Sequence, residues 1–113
     1  MPYLKINHDD AKPTFEELYL PDEPSAWLDA CYNAIGCSTI ETTSTVIRGL
    51  VLVIDEVGKL WDGWQNRINK VASFLHGSVG DLIIGDAILA RVDGENLSPL
   101  TSDDVDRLRQ IFS

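Results

Sequence analysis

Cysteine, histidine and cations are all in short supply in this chain. Cys31 and Cys37 are its two cysteines, and His8 and His76 its two histidines. Two thiols with no second pair exclude a disulfide framework and a cysteine-built metal site, and match ordinary cytoplasmic usage. Neither histidine has a ligand or a general base at motif spacing. No Gly-x-Ser-x-Gly elbow, Walker loop, His-Glu-x-x-His or Cys-x-x-Cys occurs. The sequence therefore predicts no catalytic residues, no metal and no cofactor. Long hydrophobic runs are missing too. The longest, Leu50 to Ile54, has the length of a strand, so neither a membrane span nor a secretory leader is expected.

Positive charge is sparse, with 9 Lys and Arg against 18 Asp and Glu and a net charge of −9. Such a surface repels nucleic-acid backbones and anionic headgroups, so neither nucleic acid nor membrane is an expected partner. Residues 1–29 are strongly acidic, residues 30–47 carry Glu41 alone, and residues 77–113 are acidic again. Residues 48–76 differ, because Arg48, Lys59, Arg67 and Lys70 outnumber Asp55, Glu56 and Asp62. An anion finds a favourable local field in that segment.

What remains is a chain able to fold unaided. Its 113 residues are 44% hydrophobic. Folding a chain of this mass removes about two-thirds of its surface from water, enough for one core and a single domain over residues 1–113.

Tyr3 to Asn7 and Phe15 to Leu20 read as short strands joined by a turn over residues 8–13. Pro24 opens a helix over residues 24–35 whose apolar face is Trp27, Leu28, Cys31, Ala34 and Ile35, with Gly36 as its C-cap. Thr39 to Thr45 is an exposed strand or ordered loop. Val46 to Ile54 is a strand apolar on both faces, and Asp55-Glu56-Val57-Gly58 a tight turn returning through Lys59 to Trp61. Asp62 with Gln65 forms a capping-box pattern for a helix over 63–76, with Trp64, Ile68, Val71 and Leu75 as its stripe. Leu82 to Val92 reads as a second strand with a bulge at Gly85-Asp86, ahead of a turn over 93–96. Thr101 with Asp104 caps a last helix, 102–112, facing inward through Val105, Leu108 and Phe112. The expected fold is α+β, a mostly antiparallel sheet with three helices packed on one of its faces.

From about Val46 onward the chain carries Asp55-Glu56-x-Gly58-Lys59-Leu60, then Asn66 followed by a small residue at Ala72. Asp81-x-Ile83-Ile84-Gly85-Asp86-Ala87 and a terminal Thr101-x-x-Asp104 helix follow. In these features the sequence resembles a family of small uncharacterised domains found in bacteriophages and other mobile elements. Trp61-Asp62-Gly63-Trp64 stands where that family has a Gly-Leu-Pro-like approach to the Asn. The resemblance implies a phage origin and a place in the host cytoplasm, and it brings no settled activity.

The candidate ligand-binding residues are Arg48, Trp61, Trp64, Asn66, Arg67, Lys70 and Asp86. Aromatic planes accept a stacked base, while Arg, Lys and helix-start amides accept phosphate. Trp64 also continues the helical stripe and reads equally as core. Trp61 can serve as a staple ahead of the cap, and Arg67 and Lys70 as a solvated face. Asp86 is either a paired, buried carboxylate or the tip of a bulge in water, and Asp55 and Glu56 suit a solvated turn better than a cation site.

Two functions are expected from this pattern. The first is a non-catalytic phage-type binding protein, a homo-oligomer that sequesters a small anionic nucleotide-like immune signal. The alternative is an acidic interaction or inhibitor module, of which a nucleic-acid mimic is one form, acting on a basic host protein.

Overall fold

Leu50–Asp55 (β4) and Ala87–Asp93 (β5) are apolar at almost every position, which suits strands buried on both faces. They pair antiparallel at the centre of the sheet of this computed structural model, with Leu52 opposite Leu89. The structure describes residues 2–8, 15–78 and 80–112. Tyr3–Ile6 (β1), Phe15–Leu18 (β2), Ile40–Ser44 (β3) and Asn96–Ser98 (β6) complete a six-stranded sheet in the order β2-β1-β5-β4-β3, with β6 also paired to β5. Every pairing is antiparallel. The expected turn over 8–13 falls, beyond His8, outside the described residues.

Alternation along the central strands splits the core in two. Leu50, Leu52, Ile54, Ala87 and Leu89 face one side and pack with Leu75 and Leu108. Those two come from Lys70–His76 (α2) and Ser102–Phe112 (α3). Val53, Ile88 and Ala90 face the other side and pack with Cys31 and Ile35 of Pro24–Ile35 (α1). The α+β fold is as expected, but the helices cover both faces. A strand apolar on both faces needs a cover on each, so β4 and β5 already required this arrangement.

The outer helices lie where their caps place them. Glu23 accepts hydrogen bonds from Ser25 and Ala26 at the start of α1, and Gly36 ends it with its N–H on the Tyr32 carbonyl. At α3, Thr101 and Asp104 form the reciprocal capping box, with Asp104 N–H on Thr101 Oγ1 at 3.2 Å and Thr101 N–H on Asp104 Oδ2 at 2.9 Å.

The middle of the chain differs from expectation. The strand expected from Val46 begins at Leu50, because residues 46–49 turn. The expected helix over 63–76 is a 3-10 turn, Trp64–Arg67, followed by α2. Residues 58–60, on the return expected through Lys59 to Trp61, form another 3-10 turn. No side chain caps the Trp64 turn, so the Asp62–Gln65 box is not formed there, and Asn69 caps α2. The second strand starts at Ala87. Ahead of it, Ile84 makes an isolated bridge with Ile68, and Gly85 turns at φ 83° with its N–H on the Arg67 carbonyl. A left-handed glycine at the strand entrance thus replaces the expected bulge.

Candidate functional site

Trp61 and Arg67 come together. The guanidinium lies over the indole with Cζ 5.6 Å from the ring centroid. The Trp61 Nε1–H donates to Asp55 Oδ2 at 2.9 Å, while Asp55 Oδ1 accepts the Val57 N–H at 3.0 Å. Asp55 is buried and fixes the turn and the indole together, so it is no solvated turn residue. Trp64 is half-buried and belongs to neither cluster of buried residues. Asn66 and Lys70 are exposed.

Arg48 is remote from this pair. It precedes β4, whereas Trp61 is tied to the last residue of that strand, and five residue steps of strand span about 17 Å. Asp86 turns elsewhere as well. Its Oδ1 accepts the His8 N–H at 3.0 Å and meets His8 Nδ1 at 2.7 Å, and its other oxygen lies 3.6 Å from Lys5 Nζ. Burial pushes the Asp86 carboxyl up, but the hydrogen bonds from His8 and the charges of His8 and Lys5 outweigh it, leaving the pKa below the ordinary range. Asp86 is therefore a paired carboxylate.

Three surface cavities stand out, and none of the seven candidate residues lines any of them. The largest, about 680 Å³, opens on the α1 face between β3 and β6. Its walls include Tyr3, Trp27, Ile40, Leu97 and three prolines, 21, 24 and 99. Among the described residues, Asp22, Glu41 and Glu95 are its charged residues, and no Lys, Arg or His lines it. Burial raises the Tyr3 phenol, an effect partly offset by the neighbouring Trp27 indole. The Trp27 N–H nevertheless makes no hydrogen bond among the described residues and is shielded from solvent. Sequence reasoning placed Trp27 on the core face of α1 and missed this groove. The signal available was a run of two prolines and a tryptophan inside an acidic stretch.

A second cavity, about 340 Å³, lies on the opposite face of the sheet, and Glu41 and Thr43 of β3 line it. Ile54, Val57, Leu60, Leu82 and Ile84 give it apolar walls. At its rim Asp81 binds Lys59 Nζ at 3.1 Å and His76 Nε2 at 2.9 Å. His76 Nδ1 is 2.9 Å from the Ser44 carbonyl, so the ring ties α2 to the end of β3. That carbonyl bond, together with the Asp81 carboxylate, raises the His76 pKa above its ordinary value. Burial pushes the Cys31 thiol up to about 11, and burial likewise raises Cys37. Both remain thiols at neutral pH rather than the nucleophilic thiolate.

Structurally this is an α+β domain with helices on both faces of one antiparallel sheet and an acidic, aromatic groove under α1. The chain belongs to the family described as a domain of unknown function, DUF3846, whose profile matches residues 4–113. No curated protein and no solved structure matches it. Among the described residues, no helix is long and apolar enough to cross a membrane and no group of three or more His, Cys, Asp or Glu is placed to hold a metal ion.

Proposed function

We propose that this domain is a non-catalytic interaction module that docks on a basic partner protein. One observation carries the reading: the largest of the three cavities has aromatic and proline walls and, among the described residues, carries Asp22, Glu41 and Glu95 with no cationic residue. Tyr and Trp supply rigid contact area, and a cation entering over them gains from both the rings and the carboxylates. Calorimetric titration with an arginine-rich peptide tests it. Asp22→Asn combined with Glu95→Gln should weaken binding about tenfold, and added salt should weaken it further. Arg67→Ala should leave it unchanged. Equal binding of a glutamate-rich peptide would contradict the proposal.

A second reading has its own support in the guanidinium of Arg67 lying over Trp61. In this reading the domain is a phage-encoded sponge whose preassembled pair holds a nucleotide-like anion, the phosphate on Arg67 and the base on the free face of the indole. Its mark is binding of a cyclic dinucleotide that Arg67→Ala abolishes and the groove substitutions leave intact.

A further inference from the structure

β3 ends the sheet. One edge pairs with β4 from Ile40–Asp55 to Ser44–Val51, and among the described residues no strand pairs with the other. Edge strands invite pairing, and proteins usually guard them with lysine, proline or dense charge. β2, at the opposite border, has two adjacent glutamates in Phe-Glu-Glu-Leu. β3 reads Ile-Glu-Thr-Thr-Ser, with a single charge and three β-branched residues, the composition of a strand that pairs readily. It is also exposed at Glu41, Thr42 and Ser44.

The two faces beside this edge are hollow. Residues opposite one another in an antiparallel pair share a face, so Glu41 and Thr43 lie with Ile54 and Leu52, and Ile40 and Thr42 with Asp55 and Val53. The cavity of about 340 Å³ opens beside Glu41 and Thr43, on the α2 face. The groove of about 680 Å³ opens beside Ile40 and Thr42, on the α1 face. A strand laid along β3 would send alternate side chains to the two sides.

We propose that β3 is a strand-addition site for an extended segment of a basic partner. Cationic side chains at every second position enter the α1-face groove, over Tyr3 and Trp27 and between Asp22 and Glu95. The intervening apolar side chains enter the opposite cavity against Leu60, Leu82 and Ile84. Main-chain hydrogen bonds supply the affinity and the two cavities the sequence preference. This inference rests on the basic-partner reading and adds its binding mode. A second copy of the chain is the poorer occupant, because acids line both cavities and two such edges would bring like charges together.

The probe is a synthetic peptide alternating arginine and valine, titrated against the full chain in three forms. One is unmodified, one is backbone N-methylated at the arginines alone, and one at the valines alone. Successive N–H groups of a strand point to opposite edges, so one methylated form keeps its pairing edge and the other loses it. One methylated form should bind like the parent and the other about tenfold or more weakly, with alternate amides of residues 40–44 newly protected from hydrogen exchange. Glu41→Lys, at an exposed position beside both cavities, should also weaken the parent peptide about tenfold. Equal behaviour of the two methylated forms, both retained or both lost, overturns strand addition while leaving the basic-partner reading standing. Failure of the unmodified peptide to bind removes both. A dimer whose β3 amides are protected without peptide overturns the proposal in favour of a second copy.

Discussion

Asn69 accepts the Ala72 N–H at 3.0 Å and gives its amide protons to the carbonyls of Ile6 and Gly85, at 2.9 and 3.0 Å. It is only 1% exposed, so no water replaces these bonds. It thereby caps α2, ties that helix to β1 and fixes the turn ahead of β5. Asn69→Ala would strand two carbonyls and one N–H in the interior and should cost about 2–4 kcal/mol in urea unfolding. A loss below about 0.5 kcal/mol would show that these groups find other partners. The resemblance points instead to Asn66, which is exposed. Nothing in a sequence marks which of two asparagines three residues apart meets carbonyls from distant strands.

Among the elements, α1 and α3 are legible because each carries its own start signal and a face of regular spacing. Glu23 and Pro24 begin one, and the Thr101–Asp104 box the other. α2 is shorter than its spacing predicts, because Trp64, Ile68, Val71 and Leu75 recur at helical spacing across a break. The Ile68–Ile84 bridge and the buried Asn69 impose that break through long-range contacts. The same contacts displace the start of β5. α3 has a further tether, since the fully buried Asp104 takes Arg91 Nε at 2.7 Å on one oxygen and Arg91 Nη2 on the other. The Arg91 hydrogen bonds hold the Asp104 carboxyl at about 2, below its ordinary 3.8. A depressed carboxyl stabilises the fold fully above its unfolded value and loses that contribution as pH falls through the folded one. Unfolding free energy should therefore drop between about pH 4 and pH 2, and Asp104→Asn should remove much of that drop. An unchanged acid limb in the variant would show that Asp104 does not carry it.

For the whole molecule, the net charge is −9, and Asp22, Glu41 and Glu95 stand where aromatic surface is also open. The sequence showed the acidity and the positive central segment, and from these the anion-binding cluster was expected. Folding separates Arg48 from that cluster, commits Asp86 to His8 and Lys5, and leaves Trp61 and Arg67 as its surviving pair. Beyond the Pro21, Pro24 and Trp27 run, the groove is not legible in the sequence, because Tyr3, Trp27, Glu41 and Leu97 come from four separate elements. Self-association through the weakly charged stretch before Leu50 was expected as well. β3 lies in that stretch, and its acid-lined surroundings suit a basic partner better than a copy. The three tryptophans divide between the two regions, Trp27 in the groove and Trp61 and Trp64 in the positive segment. The most direct test is therefore two-dimensional NMR of ¹⁵N-labelled protein titrated with the arginine–valine peptide, following the three indole N–H signals. The account predicts that the Trp27 indole and the amides of residues 40–44 shift while the Trp61 indole stays in place. Movement of the Trp61 indole with Trp27 and β3 unmoved would contradict it.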